Sequence, residues 1–312
     1  MGHFLVSRLI SAGIVVLGVT SLVFFMIHLI PGDPVEVMLG ESAQLADRES
    51  LRHALGLDRP LLVQWGDYFN HIVRLDFGES LHSKRPIADV MGERIPATIE
   101  LTVVALFFAI VIALPLGVLA ALHKDSAWDR SAMAVSLLGV SIPNFLMGPL
   151  LILLFSMYLG WLPVSGRDVS SSVILPALTL GTAMAAILSR MVRATLLEVI
   201  NEDYIRTARA KGLSTFRVIM FHAMPNTMLP IITLLGLQLG ALLAGAVITE
   251  VVFSWPGIGQ LTIDAIQKRD YPLVQSCILL ISLTYVLVNI ATDIFYSVLD
   301  PRIRLGKESV SQ

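Results

Sequence analysis

Residues 101–122 read LTVVALFFAIVIALPLGVLAAL and contain no charged side chain. An α-helix of about 20 such residues crosses the hydrocarbon layer of a bilayer, which is roughly 30 Å thick. A helix pairs its backbone polar groups internally, which an open strand or loop cannot do in lipid. This stretch therefore predicts a membrane-spanning helix.

The composition extends that prediction to the whole chain of 312 residues. The chain is 55% hydrophobic and 15% charged, with a mean hydropathy of +0.76, whereas soluble domains are about a quarter charged. Six stretches lack Asp, Glu, Lys and Arg, and each is long enough for one crossing: 9–30, 101–122, 131–166, 169–189, 223–249 and 271–292. The sequence predicts one all-α transmembrane domain over residues 1–312, with six spans.

Two of these stretches differ from a simple span. The first, 9–30, is too long for a signal-peptide core, and the PGDP that follows it is not a small-residue cleavage site, so we expect an uncleaved span. The third, 131–166, exceeds one crossing. Its prolines are expected to kink it and to end it before Trp161. They are Pro143, Pro149 and Pro163.

The distribution of Lys and Arg predicts the orientation, because short cytoplasmic loops are enriched in these residues. With the N-terminus inside, the cytoplasmic segments carry twelve of them and the two short outer loops carry three, Arg167, Lys268 and Arg269. Long loops cross largely regardless of charge, so residues 31–96 are expected outside. The sequence therefore predicts both termini in the cytoplasm.

The outer segment, residues 31–96, has a helical pattern of its own. Five apolar side chains recur at helical spacing: Leu62, Trp65, Phe69, Ile72 and Leu75. They predict an amphipathic helix that Pro60 opens, after a shorter helix that Gly56 stops. The amphipathic helix either caps the outer face of the bundle or docks an external partner, and the pattern favours neither.

The chain lacks the motifs of the common enzyme classes. It has no G-x-x-x-x-G-K-[ST] loop for ATP phosphates, no H-E-x-x-H and no G-x-S-x-G. Its seven histidines are scattered, its one cysteine, Cys277, lies in an apolar run, and its formal net charge is -2. We predict no catalytic residue, no metal site and no nucleic-acid partner.

The spans also lack a group suited to carrying a coupling ion. Ion-driven carriers keep ionisable side chains near the membrane midplane, whereas here the nearest ones lie at or near the ends of spans. Asp293, close to the inner end of the last span, is expected to pair with Arg190, Arg193 or Arg302. Energy for uphill transport would therefore come from another subunit.

The cytoplasmic loop at residues 204–226 reads YIRTARAKGLSTFRVIMFHAMPN. Residues 202–211 favour a helix that continues the fourth span, and Gly212 can end it with a positive φ. Ser214 is a candidate N-cap for a second short helix through Phe221, before Pro225 marks entry into the fifth span.

This short second helix would present Phe216, Ile219 and Met220 on one side, beside basic residues. Exposed apolar side chains with basic neighbours on an inner membrane face are typical of a docking element. An ordinary basic loop is the alternative.

The spacing of Ala208, Gly212 and Pro225 resembles the EAA loop in membrane subunits of ABC importers. That loop has E-A-A, a glycine four residues after the second alanine, and I-x-L-P thirteen residues beyond the glycine. Four positions depart from this pattern: Arg206, Thr207, His222 and Met224.

Six segments between positions 30 and 304 narrow the resemblance. They are IPGDPV (30–35), ILPALTLG (174–181), EDYIRTARAKGL (202–213), FSWPGIGQL (253–261), RDYPLVQ (269–275) and DPRIR (300–304). Together they are similar to the peptide/nickel permease family, and more narrowly to the B-type permease of dipeptide and oligopeptide importers. The four departures from the general loop are typical of that subfamily.

The resemblance implies a type I ABC importer fold in a bacterial inner membrane. It implies four kinds of partner: the lipid bilayer, a second permease subunit, two cytoplasmic ATPase subunits that bind ATP and Mg²⁺, and an external substrate-binding protein. The coupling loop, residues 196–226, would insert into a cleft on an ATPase, whose closure would rock the spans between two states. The candidate contact residues are Arg206, Ala208, Lys211, Gly212, Leu213, Ser214, Phe216, Arg217, Ile219, Met220, Phe221 and Pro225.

Polar residues at depth and a turn near the membrane surface are the remaining candidates. Asn144, Gln238 and Asn289 are candidates for lining the solute pathway. Trp255, Pro256 and Gly257 are candidates for an outer gate, and Trp255 also fits the interfacial aromatic belt.

In the fifth span, Gly236, Gly240 and Ala244 form a small-residue stripe. Such a stripe permits close helix packing, either within this subunit or against a second one.

The substrate class implied by the resemblance is dipeptides and oligopeptides, and glutathione and chelated nickel are alternatives within the same family. A self-contained channel, carrier or intramembrane enzyme is the competing interpretation. The loop at 204–226 has no role in that interpretation.

Overall fold

The computed structural model describes residues 2–29, 35, 49, 52–53 and 56–299. Within them the chain is helical, apart from one isolated bridge between Glu79 and Pro86. The α-helices are α1 (Gly2–Leu29), α2 (Leu61–Val73), α3 (Ile87–Leu122), α4 (Ala127–Ser141), α5 (Asn144–Leu151), α6 (Ile174–Ile200), α7 (Asp203–Ala210), α8 (Thr215–Arg217), α9 (Met224–Val252), α10 (Ile258–Gln267) and α11 (Tyr271–Leu299). The all-α prediction is confirmed.

The described residues give four or five candidate spans. Four helical stretches are long and apolar enough to cross a bilayer: Ile87–Leu122, Ser170–Ile200, Thr215–Gly240 and Tyr271–Thr292. A fifth exists if α4 and the helix that follows it form one broken span. In α1 the apolar helix Ile10–Phe25 is shorter than these. The count of six spans therefore stays a prediction.

The third apolar stretch bends far more than a kinked helix would. The pair Ala127–Ser141 and Asn144–Tyr158 meets at 107°. The break falls at Ile142 and Pro143, whose backbones are extended, because a residue before proline is disfavoured in the helical region. The predicted bend at Pro143 and the helix end before Trp161 are therefore confirmed, although the bend is larger than a kink, and Pro149 sits inside α5 without breaking it.

The chain divides into two compact units, the first comprising Met1–Thr98 with Pro256–Val286 and the second Ile99–Trp255 with Leu287–Gln312. In the first unit, an apolar core joins the start of α3, helix α10 and the start of α11. Its buried members are Ile87, Met91, Ile258, Leu261, Ala265, Leu273, Val274 and Cys277. Cys277 is thus a core residue, as its apolar run predicted.

Asp270 fastens a loop of the first unit to the start of α11. The side chain is 1% exposed. It accepts a hydrogen bond from the Ser80 hydroxyl and others from the backbone N–H groups of Leu81 (3.1 Å) and His82 (3.3 Å). It also caps α11 by accepting from the Leu273 N–H (3.4 Å). The aspartate of the RDYPLVQ motif therefore has a structural role.

The second unit is built on a close crossing of α3 and α6. A Cβ atom added at Gly181 would lie 2.8 Å from the Ala105 carbonyl oxygen, and one added at Gly117 would lie 2.6 Å from the Val192 side chain. Small residues at such crossings let two helix backbones approach closely. Close van der Waals packing is needed in a membrane, because the hydrophobic effect does not drive helices together in lipid. α6 is accordingly the most buried of the candidate spans.

The small-residue stripe of the fifth span packs, at least at Gly236, within this chain. A Cβ atom there would lie 2.0 Å from the Thr292 methyl carbon of α11. The side chain of Ala244 lies outside the described residues, as does that of Asp293. The predicted pairing of Asp293 is therefore not described, and Arg193 binds another carboxylate.

The outer amphipathic helix exists, although it ends earlier than predicted. α2 starts directly after Pro60, and Leu75 lies beyond its end with a φ of 58°. Asp76 closes this end, since it accepts a hydrogen bond from the Gly78 N–H (3.1 Å) and contacts His71 (3.0 Å), and these contacts lower its pKa. Gly56 has the positive φ of a helix stop, while most of the shorter helix predicted before it lies outside the described residues.

The α3–α6 crossing is tested by Gly117→Ala, which we expect to destabilise the protein by roughly 1–3 kcal/mol, because the added methyl group overpacks the interface. Gly92→Ala is the matched control, because Gly92 lies in the same helix with no atom within 4 Å of its Cβ position. Thermal unfolding of the purified protein should show a lower midpoint for Gly117→Ala and an unchanged or higher one for Gly92→Ala. Equal midpoints would contradict the close crossing.

Candidate coupling surface

The basic segment after α6 is a separate helix. α6 ends at Ile200, and Glu202 has an extended backbone with ψ 150° before α7 begins at Asp203. Most of the predicted helix 202–211 is therefore confirmed, as Asp203–Ala210, but it does not continue the fourth span. The turn at Asn201 and Glu202 redirects α7.

Gly212 ends α7 in a Schellman motif. Its φ is 80°. The N–H of Gly212 donates to the Arg209 carbonyl (2.9 Å), and the N–H of Leu213 donates to the Ala208 carbonyl (3.4 Å). This pair of bonds satisfies the last carbonyls of a helix and requires a left-handed residue that is usually glycine. The predicted role of Gly212 as a helix stop is confirmed.

The helix after Gly212 runs directly into the fifth span. Ser214 has the extended backbone of an N-cap without a side-chain cap bond. α8 continues through a π-helical segment, Val218–Ala223, into α9. Pro225 lies in the first turn of α9, as predicted for the entry into the fifth span, whereas the short helix does not end at Phe221. Pro225 lacks the N–H that an α-helix would donate to the Phe221 carbonyl, and the wider π turn precedes it.

A buried apolar cluster supports the whole segment. It joins α7, the π-helical segment and the C-terminal ends of α3 and α6, and its buried members are Ala121, Leu196, Ile205, Ala208, Val218, Ile219, Ala223 and Met224. Ile219 is 3% exposed, so the prediction that it lies on the exposed side is wrong. Ile219 and Ala208 belong to the base, with Leu213 packed against it.

A second tie links α7 to α9. The Asn226 side-chain amide donates to the Tyr204 hydroxyl (2.9 Å) and to the His222 carbonyl (3.0 Å). Tyr204 and Asn226 mark the two ends of the quoted loop sequence, and no spacing rule in the sequence pairs them.

Three large apolar side chains project from this base. Phe216, Met220 and Phe221 are 69%, 45% and 70% exposed. The basic side chains predicted beside them are also exposed: Arg206, Arg209, Lys211 and Arg217. We call Phe216, Met220 and Phe221 the apolar knob. Ser214 and Pro225 are exposed next to it.

A buried ion pair joins α4 to α6 on the same side of the protein. Arg193 donates two hydrogen bonds to Asp129, both 2.6 Å long, and the Asp129 side chain is 5% exposed. Asp129 also accepts from the Asp125 N–H (2.9 Å). Asp129 is not among the partners predicted from the sequence for Arg193. The sequence marks Asp129 only through the motif S-x-x-D at residues 126–129, which is typical of a helix N-terminus. Ser126 does cap α4.

The three pathway candidates are half-buried polar residues of the second unit. Asn144 opens α5 at the break of the third stretch, Gln238 lies in α9 and Asn289 lies in α11. None of the three makes a side-chain hydrogen bond with another residue that the structure describes. Their role as pathway residues stays a prediction.

The gate candidates lie on both sides of the point in the chain where the second unit ends, at Trp255, and the first unit resumes, at Pro256. Trp255 is 1% exposed, so its predicted place in an interfacial belt is wrong. The guanidinium of Arg167 lies 5.7 Å from its ring centroid and is also bound to Glu100. Pro256 and Gly257 open the adjoining part of the first unit. A role of these residues in gating stays a prediction.

The family follows from a comparison of the whole chain with known proteins. Residues 113–305 match the family described as the inner membrane component of binding-protein-dependent transport systems, and residues 1–102 match its N-terminal component. The chain belongs to this family. It is a permease subunit of an ABC importer and a multi-pass inner membrane protein, not an enzyme.

Two named relatives and one solved structure are similar to this chain. The glutathione transport system permease protein GsiC of Escherichia coli strain K12 and that of Shigella flexneri serotype 5b are each 41% identical over 304 residues, 97% of this chain and 99% of theirs. An inward-facing structure of the MetNI methionine ABC transporter matches 69% of this chain and 99% of its own chain, with a TM-score of 0.60 at 20% identity. This last likeness shows the fold alone.

The Asp129–Arg193 pair is tested by Asp129→Asn. We expect a loss of about 2 kcal/mol of stability, less than the roughly 3–5 kcal/mol of a fully buried pair, because the Arg193 side chain is 26% exposed. Asp203→Asn is the control, since the side chains of Asp203 and Arg206 are 95% and 74% exposed and such exposed pairs contribute little. Thermal unfolding should separate the two variants, and equal midpoints would refute a stabilising role.

Proposed function

We propose that this chain is the translocating permease of an ATP-driven importer of small peptides, and that its apolar knob receives the movement of a cytoplasmic ATPase. The partners are a second permease, two ATPase subunits and an external binding protein. The observation that carries the coupling role is the apolar knob itself. Phe216 and Phe221 are about 70% exposed although they lie on a well-packed base. Exposing large apolar side chains to water is unfavourable, so their exposure indicates a surface that another protein covers.

The base makes the knob suitable for transmitting force. The buried cluster links α7 and the π-helical segment to the inner ends of α3 and α6, and the π-helical segment is continuous with α9. A displacement of Phe216 or Phe221 would therefore move α9 as a body instead of bending a loop. Rigid elements of this kind carry domain movements in alternating access.

The exposed basic residues of the loop, which we call the basic ring, support an acidic or polar rim on the partner surface: Arg206, Arg209, Lys211 and Arg217. Of its members, Arg206 is paired with Asp203 over 3.2 Å in a solvent-exposed contact. Charges at the edge of an interface steer association and fix register more than they add affinity. The ring therefore selects the ATPase surface, and the phenylalanines supply the contact area.

The substrate class rests on the family resemblance and on the named relatives. Dipeptides and oligopeptides follow from the family resemblance. Glutathione, itself a tripeptide, is the second candidate, because the relatives at 41% identity are named glutathione permeases. Chelated nickel has no supporting observation among these relatives.

Gly212→Val tests the coupling role. A β-branched residue at a φ of +80° is strained by about 1–3 kcal/mol, and it would move the knob without touching a span. We expect normal membrane insertion, a large loss of uptake, and ATP hydrolysis that no longer depends on transport. Gly212→Asn is the matched control, because Asn tolerates the left-handed region. Undiminished uptake by Gly212→Val at normal expression would count against the proposal.

The substrate is tested with the importer reconstituted in liposomes with its binding protein. Uptake of a labelled dipeptide, a labelled oligopeptide and labelled glutathione is measured with ATP supplied on the side of the membrane that carries the ATPase subunits. We expect ATP-dependent accumulation of at least one peptide. Accumulation by this chain alone, without ATPase subunits, would refute the importer mechanism, and uptake of a nickel chelate only would refute the peptide class.

A further inference from the structure

The apolar side chains of α2 cover a wider part of the helix circumference, the apolar arc, than the part that contacts α1. One edge of the arc packs on α1: the Trp65 indole donates to the Ser21 hydroxyl (3.1 Å), and the Tyr68 ring stacks on Phe24 with centroids 5.6 Å apart. The Ser21 hydroxyl itself donates to the Leu17 carbonyl (2.7 Å), so the indole has a satisfied partner. This edge fixes the rotation of α2 about its axis.

The other edge of the arc is an uncovered stripe. It consists of Leu62, Gly66, Phe69 and Val73, which recur at i, i+4, i+7 and i+11 and so share one helix face. Leu62 and Val73 are 74% and 66% exposed. Nothing lies within 4 Å of a Cβ position at Gly66. Phe69, between them, is half-buried by its stack on Trp65, with ring centroids 5.9 Å apart. We call these four residues the outer stripe.

The contacts with α1 place the helix at membrane depth. The apolar run of the first span ends at Ile30, so at 1.5 Å per residue Phe24 lies about 9 Å and Ser21 about 14 Å below the point where the chain leaves the hydrocarbon. A Trp or Tyr side chain spans part of that distance. An amphipathic helix lying in the interface buries its apolar face roughly 5–10 Å deep, which matches these contacts.

The remaining surface of α1 and the opposite face of α2 agree with this depth. Leu22 and Phe25 of α1, beside the contact, are 58% and 39% exposed, so the outer stripe continues an apolar surface of a membrane span. Asp67 is exposed and lies on the side of α2 away from the apolar arc, and Asn70, also exposed, lies at the edge between that polar side and the outer stripe, one turn from Gly66 and Val73. Asp67 is paired with Arg59 (3.1 Å), which lowers the cost of a charge near the interface.

We infer that α2 lies in the outer leaflet of the bilayer, with the outer stripe in contact with lipid acyl chains and Asp67 and Asn70 at the headgroup level. The helix is then a lateral anchor beside the first span. It is not a docking helix for an external protein, and it does not cap a water-filled face of the bundle.

Site-directed spin labelling tests this placement in the full chain, purified with its partner subunits and reconstituted in liposomes. Single cysteines are introduced at Leu62 and Val73 in the outer stripe and at Asp67 and Asn70 as matched controls on the same helix. Cys277 is fully buried and the unsubstituted protein measures its background. The readout is the collision rate of each nitroxide with oxygen, which concentrates in hydrocarbon, and with a neutral nickel chelate, which stays in water.

We expect labels at 62 and 73 to collide several-fold more with oxygen relative to the nickel chelate than labels at 67 and 70. Four labels that all favour the nickel chelate would show a water-exposed helix and overturn the inference. Labels at 62 and 73 shielded from both reagents, with 67 and 70 open to the chelate, would show that a protein covers the stripe and would also overturn it.

Discussion

The close crossing of α3 and α6 is the constraint on which the second unit depends. Lipid offers no hydrophobic drive between helices, so their packing has to come from contact between backbones and small side chains. Gly117 and Gly181 provide that contact, because a Cβ atom at either position would overlap the opposite helix. The crossing fixes where the C-terminal ends of both helices lie. The candidate coupling loop, residues 196–226, which we call the coupling segment, is built on those ends.

The coupling segment combines a rigid base with an exposed apolar contact surface. The Schellman motif at Gly212 turns the chain without leaving helix carbonyls unpaired, and the buried cluster around Ile205 and Val218 fills the space beneath the turn. The helix that follows enters the fifth span through a π-helical segment with no intervening loop. A movement of Phe216 would therefore be transmitted to α9 through a short, well-packed helical segment. The arrangement needs no ionisable group inside the membrane, which agrees with uncharged spans and an external energy source.

The sequence predicted local features that depend on chain chemistry alone. The absence of charge over residues 101–122 predicted a span, and the glycine at 212 predicted a helix stop with positive φ, because each follows from one or a few consecutive residues. The pattern at 62–72 likewise predicted α2. Errors arose where partners came from distant positions. Ile219 was placed outside because its spacing matches Phe216, but the cluster against α3 and α6 takes it inside. Trp255 was placed at the interface because tryptophan favours it, but it is buried.

Sequence by itself determined that this protein is a helical membrane permease of a binding-protein-dependent importer, since hydropathy and short motifs are properties of contiguous residues. Only the tertiary structure decided that Arg193 pairs with Asp129, that Asp270 holds the loop at 80–82, and that the stretch 131–166 turns through 107°. Each of these depends on which side chains meet across separate helices. That is fixed by packing geometry, and a linear pattern with one period does not encode it.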